Sequence, residues 1–142
     1  MLPQIDPLIG RGWIHVSKRI VARSGGKDYG RLAVLSQWRT EPRILLTLPG
    51  AAFTPKPQVD SALVEFVPKA MPEPPCNVDQ LERVTAVAFG QRRKMLRSSL
   101  RQLTPDSEKL LVSLAIEPTA RAEELPVADF CRIANALAEK RS

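Results

Sequence analysis

Five cations within ten residues, Arg92, Arg93, Lys94, Arg97 and Arg101, are the side chains of this sequence best suited to chemistry, and that chemistry is neutralising a polyanion. No acid interrupts them between Gln91 and Gln102. On a helix, Arg93, Arg97 and Arg101 would stack at i, i+4, i+8, where like charges oppose helix formation by about 0.2–0.5 kcal/mol per pair. The row is therefore costly unless something anionic sits opposite, and nucleic-acid phosphate suits it. A solvated face paired with acids such as Glu82 or Asp106 would explain the same run.

A second candidate is Phe53-Thr-Pro55-Lys56-Pro57, a stretch that Pro55 and Pro57 exclude from the middle of a sheet because they lack the amide donors a ladder needs. Prolines leave little conformational freedom to lose on binding, so the loop could present Phe53 and Lys56 to a ligand. From spacing alone, a plain strand connection with Phe53 in the core is the better account. Other chemistry finds no support. His15 is the single histidine and has no ligand or triad partners in pattern; Cys76 and Cys131 lack metal or redox spacing. No metal site is expected. Asp28, Glu41, Asp60 and Glu65 form no recognisable carboxylate pair, and Gly10-Arg-Gly12 does not follow a strand as a phosphate-binding turn must.

The cation run has to be carried by helices. Leu81, Val84 and Ala88 recur at helical spacing before Gly90, and Leu96, Leu100 and Leu103 after it, which predicts helices over Val78–Phe89 and Gln91–Leu103. Thr104-Pro105-Asp106 starts another over Asp106–Leu114, and Val127–Glu139 turns Val127, Phe130, Ala134 and Leu137 to one side. Upstream, Trp13–Arg23 reads as a short helix with Ile14 and Val21 inward, ended at Ser24-Gly25-Gly26. Tyr29–Trp38 reads as a second, capped by Asp28 and packed through Leu32, Ala33 and Leu35. Between these sets the period changes: Ile44–Leu48 and Ala62–Val67 are short apolar runs bounded by prolines and Asp60, and read as strands. Residues 1–12 have no period and read as irregular, and 1–15 as a whole form a divergent N-terminal segment. Pro68, Pro72, Pro74 and Pro75 divide an α/β portion from a helical one.

With 142 residues, 44% hydrophobic and 25% charged, the chain has ordinary globular composition. Its net charge of +6 is uneven, because without the five cations of 92–101 the remainder holds 16 basic against 15 acidic residues. A second basic tract runs from Arg11 to Arg43, with eight cations against Asp28 and Glu41. Two such tracts at pI 9.8 favour RNA or DNA as partner over an acidic small molecule. A membrane is not expected, since no stretch approaches 18 apolar residues and the N-terminus lacks the pattern of a signal peptide. Two unpatterned cysteines fit a reducing, cytoplasmic setting.

Three segments in order, Lys27-Asp-Tyr29-Gly30-Arg31-Leu32, Phe53-Thr-Pro55-Lys56-Pro57-Gln-Val59-Asp60-Ser61-Ala62 and Ala88-Phe89-Gly90-Gln91-Arg92-Arg93-Lys94-Met-Leu96-Arg97, resemble the C-terminal half of bacterial small-subunit (16S) rRNA adenine N6-dimethyltransferases. Arg121-Ala-Glu-Glu-Leu125 and Phe130–Asn135 resemble that family's closing helices. The resemblance implies methyl transfer from S-adenosylmethionine to adjacent adenines of small-subunit rRNA during ribosome assembly. As fold class it implies an α/β remnant, the last two strands of a Rossmann-like sheet as an antiparallel pair, followed by a small all-α domain. Residues 16–70 would close the catalytic domain and 71–142 would grip the rRNA of the immature small ribosomal subunit. Phe53 would stand beside the target base, supported by Pro55, Lys56 and Pro57, with Arg92, Arg93, Lys94, Arg97 and Arg101 on RNA.

The family's Gly-rich turn, acidic ribose contacts and Asn-Leu-Pro-Tyr-type motif have no counterpart here. No catalytic residue is therefore assigned, no cofactor is expected to bind this chain alone, and the sequence reads as a fragment. Two rival readings are a non-catalytic RNA-binding or ribosome-assembly module, and a DNA-binding regulator using Gln91–Leu103 as recognition helix.

Overall fold

Glycines, prolines and apolar spacing partition the chain much as expected. A computed structural model describes residues 13–48 and 61–141, with side chains from 17 to 47 and from 62 to 139. The elements are α1 (Trp13–Val21), α2 (Arg31–Arg39), β1 (Thr40–Leu48), β2 (Ser61–Pro68), α3 (Val78–Gly90), α4 (Leu96–Ser99), α5 (Ser107–Ser113) and α6 (Val127–Arg141). Short 3-10 turns cover Leu100–Gln102 and Ala122–Glu124. Among the described residues, no helix is long and apolar enough to cross a membrane.

The two apolar runs pair as an antiparallel two-stranded sheet from Thr40 opposite Pro68 to Leu48 opposite Ser61. The register slips between Ile44 and Leu46, so Leu45 is an extra residue on β1. Alternation sends Ala62 and Val64 of β2 inward, against the side where α1 and α2 pack. Leu45, Leu46 and Val67 remain 50%, 48% and 42% exposed.

The helices bury a single cluster in which α3 lies against α6 and α2. Asn77 caps α3 by accepting from the Gln80 amide, and the α3 residues Leu81, Val84, Thr85 and Ala88 face inward. From α6 come Phe130, Cys131, Ile133, Ala134 and Leu137; Cys131 is core as expected. Pro126 precedes α6 rather than starting it, its carbonyl accepting from the Asp129 amide.

Two expectations for α2 are corrected. Its N-terminal boundary residue is Gly30, with no side-chain cap, so Asp28 does not cap it. Of the expected apolar side, Ala33 is buried and Leu35 partly so, but Leu32 is 43% exposed, and Val34 and Trp38 complete the inward face. The cluster also crosses the change of secondary structure near residue 75. Tyr29, Ala33, Val34 and Trp38 belong to the same core as α3 and α6, and the intervening proline segment is held on both sides. Trp38 Nε1 donates to the Pro74 carbonyl at 2.8 Å, and Asn135 Nδ2 to the Pro75 carbonyl at 2.9 Å.

Candidate nucleic-acid interface

The expected helix over Gln91–Leu103 does not form. Helix α3 ends at Gly90, residues 91–95 turn, and only Leu96–Ser99 continue as helix before the 3-10 turn. Lateral bonds explain the break. The Leu96 amide donates to the Ala120 carbonyl at 2.8 Å, the Arg97 amide to the Pro118 carbonyl at 3.1 Å, and Met95 bridges to Arg121. These amides are taken by another segment and are unavailable to carbonyls one turn back. Leu96 and Leu100 are buried as their spacing required, and Leu103 is partly so. The row Arg93, Arg97, Arg101 on one helix face is therefore absent, and with it the recognition helix on which a DNA-binding regulator would depend.

The cations separate into different environments. Arg93, Lys94 and Arg101 are exposed and, among the described residues, make no ion pair. Arg97 lies 3.8 Å from Glu108, a surface pair of the kind worth about 0–1 kcal/mol. Arg92 Nη2 donates to the Tyr29 carbonyl at 2.8 Å, lies 3.4 Å from Glu123 Oε2, and its guanidinium stands over the Phe89 ring. The carboxylates met here are thus Glu108 and Glu123, not Glu82 or Asp106.

The turn of residues 22–30 carries the other half of this surface. Gly25 has φ +89°, a left-handed conformation that glycine adopts without strain, and its amide donates to the Glu123 carbonyl at 2.6 Å. Tyr29 is buried, and its hydroxyl donates to the Leu125 carbonyl at 2.6 Å. Burial first, then the Asp129 carboxylate and Cys131, pushes the phenol up from its ordinary value, so it stays a donor. Its ring meets Phe89 edge-on at 5.9 Å, and Phe89 continues to Phe130 at 5.4 Å.

The result is an open recess of about 400 Å³ lined by Arg19, Lys27, Arg31 and Arg92, with Asp28 and Phe89. Four cations against one carboxylate suit an extended anion. Arg19, Lys27 and Arg31 count in the basic tract of the sequence, but their meeting with Arg92 depends on a tie across more than sixty residues that no local pattern encodes. Tyr29 and Glu123, which make that meeting possible, lie in segments that carry the resemblance, but nothing in the sequence pairs them with Arg92. The loop of Phe53, Pro55, Lys56 and Pro57 lies outside the described residues, as does the side chain of His15.

The comparisons with known proteins agree with one another. Residues 14–139 match the profile of the family described as ribosomal RNA adenine dimethylase. A protein of Cereibacter sphaeroides named ribosomal RNA small subunit methyltransferase A is 58% identical over 123 residues, 87% of this chain and 44% of that protein. The protein of that name from Jannaschia sp. is 52% identical over 122 residues, 86% of this chain and 42% of the relative. The chain thus spans less than half the length of these curated relatives. Among solved structures, a dimethyladenosine transferase from Plasmodium falciparum superposes with TM-score 0.77 at 17% identity, over 99% of this chain and 60% of that one. The 23S rRNA methyltransferase ErmE does so with TM-score 0.61, also at 17% identity, over 93% and 54%. Those two likenesses speak to fold; with a family match over residues 14–139, the chain belongs to the ribosomal RNA adenine dimethylases.

Proposed function

We propose that this chain is the C-terminal part of an rRNA adenine N6-dimethyltransferase and supplies RNA-contact surface and the target-base loop, while S-adenosylmethionine is held by the remainder of the enzyme. The observation that carries this reading is the recess where Arg19, Lys27 and Arg31 meet Arg92, beside the exposed Arg93 and Lys94. The partner is small-subunit rRNA of the immature subunit in the cytoplasm. Phosphates lie along the exposed cations, and the role that the resemblance gives Phe53, with Pro55, Lys56 and Pro57 as support, is to offer its ring to an adenine drawn from its stack. Base–aromatic stacking of that kind is worth about 1–3 kcal/mol. Strands β1 and β2 are read as the last two of the catalytic sheet, a reading supported by their antiparallel pairing and by the apolar Leu45 and Leu46 left at the surface.

Among the described residues, the recesses richest in charged side chains do not fit the cofactor's sulfonium. Besides the cation-lined recess, one of about 310 Å³ is lined by Arg23, Arg43 and Lys69 with Glu41. Such cationic walls oppose a sulfonium. Titration calorimetry of the chain with S-adenosylmethionine should give no saturable heat; a micromolar isotherm would refute this division of labour.

The RNA reading is tested by anisotropy with a helical rRNA fragment at several salt concentrations. Three to five phosphate contacts predict a slope of log K against log salt of about −2 to −4.5, and Arg93→Gln with Lys94→Gln should shrink it by about 1.4–1.8 with the fold unchanged. An unaltered slope would remove the assignment. Binding duplex DNA as tightly as rRNA would revive the regulator reading.

A further inference from the structure

We infer that Arg92 is a positioning residue rather than a phosphate ligand: it fastens the turn of residues 25–31 to the end of α3 and so sets the spacing of Arg19, Lys27 and Arg31. The inference deepens the RNA reading above, and it separates Arg92 from Arg93 and Lys94 although the three are consecutive. Its guanidinium meets three protein groups: the Tyr29 carbonyl at 2.8 Å, Glu123 Oε2 at 3.4 Å, and the Phe89 ring at 5.9 Å. The turn it holds is also tied to residues 123–125 through Gly25 and the Tyr29 hydroxyl, which closes a ring of contacts between segments distant in sequence. The Glu123 pair is half exposed and contributes little by itself, so the carbonyl bond and the stacking carry the attachment. Lysine does not reproduce this arrangement, because its point charge on a flexible stem cannot set a planar group over the Phe89 ring while a terminal nitrogen reaches the Tyr29 carbonyl. Phosphate is less demanding and accepts either cation.

That difference makes Arg92→Lys decisive, with Arg92→Gln and Arg93→Gln beside it. Anisotropy with the helical rRNA fragment over a salt series is read together with hydrogen exchange of the free protein. If Arg92 positions the recess, Lys and Gln at 92 both weaken binding several-fold at every salt concentration and leave the slope near that of the parent. Both also speed exchange across residues 25–31. Arg93→Gln instead lowers the slope by about 0.7–0.9 and leaves that exchange alone. Parent-like binding by Arg92→Lys, with about 0.7–0.9 of the slope lost in Arg92→Gln, would identify a phosphate ligand and overturn the inference. Unchanged exchange at 25–31 in both variants would overturn it too. Should Arg93→Gln leave the slope untouched while exchange at 25–31 still rises in the Arg92 variants, the RNA reading fails and the fastening role stands. If Arg92→Gln does not fold, Arg92→Lys carries the test.

Discussion

The helical cluster and the two-stranded sheet are built from similarly apolar sequence but held in different ways. In the cluster, α2, α3 and α6 bury one another, and residues such as Phe130, Leu81 and Val34 are fully enclosed. In the sheet, β1 and β2 pair with each other, yet among the described residues only one face is covered, and Leu45, Leu46 and Val67 stand half in water. Two strands without a further neighbour are marginal alone, so the sheet depends on α1 and α2 for its stability. The difference teaches that the rigid unit of this chain is defined by burial, not by where helices replace strands.

The largest test of that contrast compares two truncations. Phe130→Ala removes a fully buried ring that packs against Phe89 and should cost about 3–5 kcal/mol in urea unfolding. Leu46→Ala, at a position 48% exposed, should stay within about 1 kcal/mol. Comparable losses would mean that the sheet's outer face is covered in solution. Hydrogen exchange sharpens the same comparison residue by residue. Amides of α2 should be protected with those of α3 and α6, whereas β1 and β2 open first. Protection of the strands equal to that of α3 would break the distinction.

That assignment of α2 shows where the sequence was legible and where it was not. The periods of Leu81–Ala88 and Phe130–Leu137 announced α3 and α6, and the proline-bounded runs announced the paired strands, because burial on one face leaves a periodic trace. Pro68–Pro75 marked a real change of secondary structure, but the core crosses it through Tyr29 and Trp38, whose partners at Leu125 and Pro74 are fixed by tertiary contact. The candidate site divides similarly. The cations were visible as composition; their geometry was not. The leucine period after Gly90 suited a continuous helix, and amides drawn to Pro118 and Ala120 overrode it.

Tyr29 supplies the next largest effect, since its hydroxyl ties the turn before α2 to the segment before α6. Tyr29→Phe leaves the Leu125 carbonyl without that donor and should cost about 1–3 kcal/mol at neutral pH. It should also change the alkaline response. The folded phenol is raised above the unfolded value of 10.0, chiefly by burial. Its contribution is therefore complete below that pH and is lost as pH rises from there toward the folded pKa. Urea midpoints of the parent should fall more steeply above pH 10 than those of Tyr29→Phe. Parallel curves would show that the phenol ionises freely, and hence that the turn is not fastened to the cluster.

The smallest expected effect has the opposite sign and tests whether the two regions open independently. Helix α5 ends with Ala115 at φ 59°, and the Ile116 amide reaches back to the Leu111 carbonyl at 2.9 Å, a helix ending that favours glycine at the position of Ala115. Alanine in the left-handed region costs about 1–2 kcal/mol, part of which glycine returns to its larger unfolded-state entropy. Ala115→Gly should therefore stabilise the protein by up to about 1 kcal/mol, read as a higher urea midpoint with the same slope. The gain arises between α5 and the buried Ile116, far in sequence from the strands. If the sheet opens on its own, exchange should slow in α3 and α6 while β1 and β2 exchange as before. Equal slowing in the strands would mean that they open only when the whole molecule unfolds, and would remove the contrast between the two regions.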